Sequence, residues 1–289
     1  MAERNTLDSA YATAEKLAKS HYENFPVISR FISDDLKKHV AVVYLFARKA
    51  DDLADEGDVP PFQRIRSLEE YENNFRAALA GKYRDEVWMA LHNTIFYKEL
   101  DPNLFLMLLD AFKQDTEKKR YKTFRELLDY CKRSANPVGR IILQLHNVKN
   151  EQAYFYSDNI CTALQLTNFL QDISVDLQKN RIYVPKEDLY KFNMDENSFA
   201  SLRNIEAFNK LIAYEIERVS YLFTNGKKLL PMLPPKLRTQ ILWTILGGEK
   251  ILEKISNLQY KVLNSRPRIS KTEYLFLMIK ALFSVRKYA

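Results

Sequence analysis

The chain has 289 residues, with 44 Lys and Arg against 37 Asp and Glu for a formal net charge of +7, long enough to bury a sizeable core. Only six glycines occur, where an average protein of this length carries about 20, so the dinucleotide fingerprint and the Walker loop, which need closely spaced glycines at a pyrophosphate, are excluded. Two cysteines, Cys131 and Cys161, and four scattered histidines, His21, His39, His92 and His146, give neither a zinc-ligand spacing nor a disulfide framework.

Apolar residues recur at helical spacing along nearly the whole chain, and no run of strict alternation is bounded by turn residues, so the fold class reads as all-α. In chain order, the pattern predicts helices at 6–21, 34–56, 62–80, 84–98, 102–118, 124–148, 151–178, 201–225, 236–263 and 271–287. Asp101-Pro102 has the form of an N-cap followed by proline at the first helical position. Thr123 with Glu126 and Ser270 with Glu273 have capping-box spacing. Pro137 is expected to kink the 124–148 helix. No linker, low-complexity stretch or fixed-period repeat appears, so residues 1–289 read as a single helical domain.

No stretch reaches the roughly 18 to 20 apolar residues of a membrane span: Lys236 and Arg238 interrupt Leu229 to Leu246, and Lys280 interrupts the last apolar run. The start, Met1-Ala2-Glu3-Arg4-Asn5, has no apolar run behind it, so a cytoplasmic location is expected. Peripheral contact at the inner membrane face is compatible with the basic balance. Lys227-Lys228-Leu229-Leu230-Pro231-Met232-Leu233-Pro234 is a candidate surface for it, a buried helix end being the plainer account. The basic residues are dispersed and form no nucleic-acid-binding module.

Two acidic segments carry the chemistry. In Arg48-Lys49-Ala50-Asp51-Asp52-Leu53-Ala54-Asp55-Glu56, Asp51 and Asp55 stand four apart and share a helix face, where like charges repel and oppose the macrodipole at a C-terminus. By itself this is also how a solvated acidic helix end looks. In the second segment Gln165, Asn168, Asp172 and Asp176 lie at i, i+3, i+7 and i+11, a polar stripe within an otherwise apolar run from which Leu164, Leu166, Phe169, Leu170 and Ile173 would pack away. Carboxylates placed there need a cation, an arginine or a metal. Together the stripes suggest a Mg2+ cluster held by Asp51, Asp55, Asn168, Asp172 and Asp176, a hard-oxygen set completed by water and substrate phosphate. The implied substrate is an anionic diphosphate. Arg48, and Lys179 with Arg181, are placed either to clamp its oxygens or to pair with the motif acids; both readings stay open.

At these residues the sequence resembles the squalene/phytoene synthase family of head-to-head prenyltransferases. The resemblance rests on Tyr44 through Glu56, on Tyr130-Cys131 with Val138-Gly139, and on Gln165 through Asp176 to Arg181-Ile182-Tyr183-Val184-Pro185. It implies one all-helical domain around a deep cavity, with Mg2+ bridging two facing acidic helices to the diphosphate of an isoprenoid. By similarity, Asp51, Asp55, Asn168, Asp172 and Asp176 would hold metal, with Asp51, Asp55 and Asp172 counted among the catalytic residues. Arg48, Gln165, Arg181 and Tyr183 would lie at the diphosphate, and Tyr44 and Tyr130 would line the reaction centre, core packing being the alternative for both tyrosines.

Within the family the likeness is to the hydroxysqualene synthase subgroup of the hopanoid pathway. It is carried by the entrance segment Glu23-Asn24-Phe25-Pro26-Val27, by Lys132-Arg133-Ser134-Ala135-Asn136-Pro137-Val138-Gly139, and by Gln171 where many relatives carry Arg. Lys179-Asn180-Arg181 lacks the usual glycine before its arginine, a mild departure because asparagine tolerates the left-handed conformation. That subgroup implies conversion of presqualene diphosphate to hydroxysqualene with no NADPH consumed. Asn136 is a weak candidate for holding the capturing water, a turn or kink role being the alternative. The rival reactions are condensation of two farnesyl or geranylgeranyl diphosphates to presqualene diphosphate, squalene or a phytoene-like product. A non-catalytic helical assembly factor is the rival of another class, although both acid sets are retained here. The expected partners are an isoprenoid diphosphate and other enzymes of its pathway.

Overall fold

A computed structural model describes residues 2–20, 33–201 and 204–288. His21 and the entrance segment Glu23 to Val27 lie outside the described residues. The described chain is all-helical: α1 (Ala2–Ser20), α2 (Asp34–Asp55), α3 (Pro61–Leu79), α4 (Glu86–Tyr97), α5 (Pro102–Asp115), α6 (Phe124–Ser134), α7 (Asn136–Leu145), α8 (Glu151–Gln171), α9 (Ile173–Gln178), α10 (Lys186–Lys191), α11 (Glu196–Ser201), α12 (Ile205–Gly226), α13 (Pro235–Leu258) and α14 (Lys271–Ser284). Tighter 3-10 turns prolong α12, α13 and α14 at Lys227–Met232, Gln259–Leu263 and Val285–Tyr288. An isolated bridge between Arg120 and Ile182 is the one extended pairing among the described residues.

Of the expected caps, the Asp101 N-cap and the Ser270 box are in place, while at Thr123 only half of the box forms, the Glu126 carboxylate accepting from the Lys122 amide instead. The Asp101 carboxylate accepts from the Asn103 amide at 2.9 Å, Thr123 Oγ1 accepts from the Glu126 amide at 3.2 Å, and Ser270 and Glu273 form a reciprocal capping box. Two long helices differ from expectation. The 124–148 helix is two helices, broken at Ala135, and Pro137 is the second residue of α7 rather than a kink in a continuous helix. Its missing N–H falls in the first turn, where no intrahelical acceptor exists in any case. The 151–178 helix divides at Asp172. The short helices α10 and α11 were not expected from the pattern, being under two turns each.

The chain forms two compact units. One comprises residues up to 117 with 140–149, the other 118–139 with residues from 150 onward. The first is centred on aromatic rings: Phe46 meets Tyr71, Phe75, Trp88 and Phe105 at centroid distances of 5.3, 5.1, 6.3 and 5.2 Å. In the second, α8 packs along α12 and α13. The start of α7 lies flush against α8, because a Cβ on Gly139 would stand 2.4 Å from Ser157 Oγ and 2.5 Å from Cys161 Sγ.

The second unit also buries a charged cluster. Arg218 of α12 grips Asp188 of α10 with two bonds of 2.9 and 3.2 Å, approaches Glu215 at 3.4 Å, donates to the Tyr214 hydroxyl at 2.7 Å and lies 3.8 Å over the Phe124 ring. Two buried carboxyls thus share one guanidinium. Burial first, and then the neighbouring Asp188, push the Glu215 carboxyl up to about 8 despite Arg218. The folded protein therefore holds a proton that the unfolded chain releases near the ordinary carboxylate value, so this contribution to stability is present in acid and is lost as pH rises through about 8. Glu215→Gln, neutral throughout, is expected to flatten the dependence of Tm on pH between about 5 and 8 and to melt no lower than the parent at the alkaline end. Thermal melts across that range check it; an unchanged pH slope in the variant would contradict the assignment.

Candidate active site at two acidic helix segments

In the first unit, Tyr44, Arg48, Asp51 and Asp55 stand on successive turns of one face of α2. Arg48 is engaged by the acids around it, at 3.1 Å from Asp51, 2.8 Å from Asp52 and 2.8 Å from Glu56. Of the two roles left open for Arg48, pairing with the motif acids is the one the structure displays. One guanidinium is too little for this many carboxylates. The Asp51 carboxyl is raised above its ordinary value, first by burial and then by Asp52, Asp55 and Glu56, with Arg48 opposing.

No basic residue lies in the last turn of α2, and Arg64 of α3 supplies what is missing. Its guanidinium donates to the backbone carbonyls of Glu56 at 3.0 Å, Gly57 at 2.6 Å and Val59 at 3.0 Å, placing a cation at the negative end of the helix dipole. Gly57, with φ of 78°, turns the chain there. A cavity of about 530 Å3 opens on the neighbouring face of α2, where Val42, Leu45, Trp88 and Leu91 meet Lys49 and Asp52.

In the second unit, Gln165, Asn168 and Asp172 follow one another up α8 while Leu166, Leu170 and Ile173 are buried beneath them. At the break the helical bonding persists: the Asp172 amide donates to the Asn168 carbonyl and the Asp176 amide to the Asp172 carbonyl, both at 2.8 Å. Asp172 and Asp176 therefore remain one turn apart across the junction between α8 and α9. Asn180, with φ of 55°, adopts the left-handed conformation expected of it, and the Arg181 amide closes onto the Asp176 carbonyl at 2.7 Å.

Asp172 is held by Arg266, which reaches both carboxylate oxygens from the loop before α14, with the longer contact at 3.3 Å. Gln171 donates to the Pro267 carbonyl at 2.7 Å and fixes the same loop. The sequence pattern did not single out Arg266, since a lone arginine before a proline has no periodic signature. Phe169 also departs from its expected role. Rather than joining the core beneath α8, its ring stacks on Tyr183 at 3.7 Å and 5°, and Tyr130 and Tyr121 extend the group at centroid distances of 6.1 Å from Phe169 and 5.9 Å from Tyr183. Phe169, Asp176, Arg181 and Tyr183 line a small pocket of about 10 Å3. Asn136 is buried at the first residue of α7, where its side-chain oxygen accepts from Thr162 at 2.9 Å. The bond ties the start of α7 to α8.

Each acidic segment offers carboxylates one turn apart, and among the described residues no three Asp, Glu, His or Cys groups gather closely enough to hold an ion alone. Oxygen-only donors with excess negative charge at Asp51 fit a hard divalent cation that keeps water and phosphate in its remaining positions.

The squalene/phytoene synthase family profile matches residues 18–273. A hydroxysqualene synthase of Zymomonas mobilis subsp. mobilis is 36% identical over 187 residues, which are 63% of this chain and 61% of that protein. A phytoene synthase of Arthrospira platensis is 25% identical over 90% of this chain and 88% of its own. Among solved structures, squalene synthase HpnC from Alicyclobacillus acidocaldarius superposes with a TM-score of 0.83 at 38% identity, covering 88% of this chain and 95% of that one. A dehydrosqualene synthase in complex with ligand superposes at 0.85 over 98% of both chains, and at 22% identity it speaks for the fold alone. With the family profile covering most of its length, the chain belongs to the squalene/phytoene synthase family.

Proposed function

We propose that this chain ionises an isoprenoid diphosphate at a site to which both acidic segments contribute, and that its reaction converts presqualene diphosphate to hydroxysqualene for squalene and hopanoid biosynthesis. The observation that carries the reading is that both acid segments are in contact with an arginine, Arg48 at Asp51 and Arg266 at Asp172. These are side chains suited to exchange a carboxylate for a phosphate oxygen. Asp51, Asp55, Asn168, Asp172 and Asp176 are the proposed Mg2+ ligands, and the bound ions would supply the charge that stabilises the departing diphosphate. Arg48, Gln165, Arg181 and Arg266 would hold its outer oxygens.

In the proposed reaction the C–O bond breaks with its electron pair leaving on diphosphate. The rearranged cation gains a C–O bond from water, and that water loses one proton. No hydride is transferred, so NADPH has no part. The stacked rings of Phe169 and Tyr183 lie beside Asp176 and Arg181, with Tyr130 6.1 Å from Phe169, aromatic surface of the kind that favours a carbocation and limits premature capture by water. Likeness to the Zymomonas hydroxysqualene synthase and to the Alicyclobacillus squalene synthase supports this product class. A second reading, condensation of two farnesyl or geranylgeranyl diphosphates, is favoured by the phytoene synthase that aligns over 90% of the chain.

Incubation of the purified chain with Mg2+ and, separately, presqualene, farnesyl and geranylgeranyl diphosphates, with and without NADPH, distinguishes the two. Consumption of presqualene diphosphate to an alcohol without NADPH is expected; condensation of farnesyl or geranylgeranyl diphosphate would establish the second reading instead. Asp51→Ala and Asp172→Ala are each expected to lower turnover by about 100-fold or more with far-UV circular dichroism unchanged. Full activity in either variant would overturn the ligand assignment.

A further inference from the structure

The helix α14 is fastened on one side only. Leu277 and Ala281 are buried, and Trp243 of α13 donates to the Tyr274 carbonyl at 3.3 Å while the two rings meet edge to face at 5.1 Å. On its other side Leu275, Phe276, Ile279, Leu282 and Phe283, spaced i, i+1, i+4, i+7 and i+8, are 54%, 65%, 42%, 44% and 74% exposed. Five large apolar side chains on one face of a 14-residue helix form a contiguous stripe, not the scattered exposure of an ordinary surface.

Charge identifies what fits against that stripe. Lys271, Lys280, Arg286 and Lys287 are exposed on α14 and the turn that follows it. Glu273, the one acid of this segment, is taken up by the Ser270 cap and by Lys254 at 2.8 Å. An apolar stripe accompanied by cations, with its acid neutralised, has the make-up of a helix that lies in a membrane interface. A second copy of the same face would bring these cations against their own kind, whereas a surface of anionic lipid neutralises them. The segment Lys227 to Pro234 is not the contact: Leu229, Leu230 and Leu233 are buried, and Lys227 pairs with Glu249 at 2.6 Å. No described helix is long and apolar enough to cross a membrane.

We propose that α14 is an interfacial helix that seats this chain on an anionic bilayer surface, with Leu275, Phe276, Ile279, Leu282 and Phe283 at the acyl boundary and the four cations at lipid phosphates. The proposal is independent of the reaction catalysed. Co-sedimentation of the full chain with vesicles of phosphatidylglycerol and phosphatidylcholine, and with phosphatidylcholine alone, tests it. Binding to the anionic vesicles is expected, weakened by salt. The double variant Phe276→Glu, Phe283→Glu is expected to lose about tenfold or more of the partition, and Lys280→Gln about fivefold, with melting temperature and helicity preserved. Equal binding by the double variant, or no binding of the parent chain to anionic vesicles, would overturn the proposal. So would a dimer in sedimentation velocity that the double variant dissociates while vesicle binding is absent.

Discussion

Carboxylates one helical turn apart repel one another, and the geometry of both acidic segments follows from how that repulsion is offset. On α2 a single guanidinium, Arg48, is shared among Asp51, Asp52 and Glu56, and the Asp51 carboxyl still lies above its ordinary value. At the junction of α8 and α9, Arg266 is brought in from a loop 94 residues further along the chain to hold Asp172. An arginine is an adequate counter-ion for such a pair. A divalent cation shared with a substrate phosphate is a better one, because it delivers two charges to oxygen ligands at short range.

The backbone holds these acids in place by local means. Gly57 and the Arg64 bonds to three loop carbonyls end α2 immediately after its acids, without which the exposed carbonyl dipoles would add to the local negative charge. On the second segment, the helix axis breaks at Asp172 while the hydrogen bonds from Asp172 to Asn168 and from Asp176 to Asp172 continue. The register of the polar stripe is therefore kept across the break. Asn180 then turns the chain so that Arg181 and Tyr183 arrive beside Asp176 and Phe169. The stacked rings of Phe169 and Tyr183 give this end of the second unit its apolar, electron-rich wall.

Much of this was legible in the sequence. The all-α class, the Asp101, Thr123 and Ser270 caps and the spacing of both acid rows depend on local periodicity and capping chemistry, which a sequence displays directly. What escaped depends on tertiary placement. Pro137 reads as a kink until the chain is seen to start a helix at Asn136. Phe169 is one residue past Asn168 of the polar stripe and reads as core until Tyr183 is brought against it. Arg64 acts on loop carbonyls and Arg266 on a carboxylate 94 residues away, pairings that carry no periodic signature. The apolar stripe of α14 was visible as helical periodicity, but that signal does not say which apolar face the fold leaves uncovered.

The central proposal is that Asp51 and Asp172 both contribute to Mg2+-dependent binding of an isoprenoid diphosphate. Calorimetric binding of an uncleavable isoprenoid thiodiphosphate in the presence of Mg2+, measured for the parent chain, Asp51→Ala, Asp172→Ala and the double variant, tests it most directly. A common site makes the losses strongly non-additive, so that the double variant binds about as weakly as either single one. Fully additive losses, or binding that does not depend on Mg2+, would contradict the account.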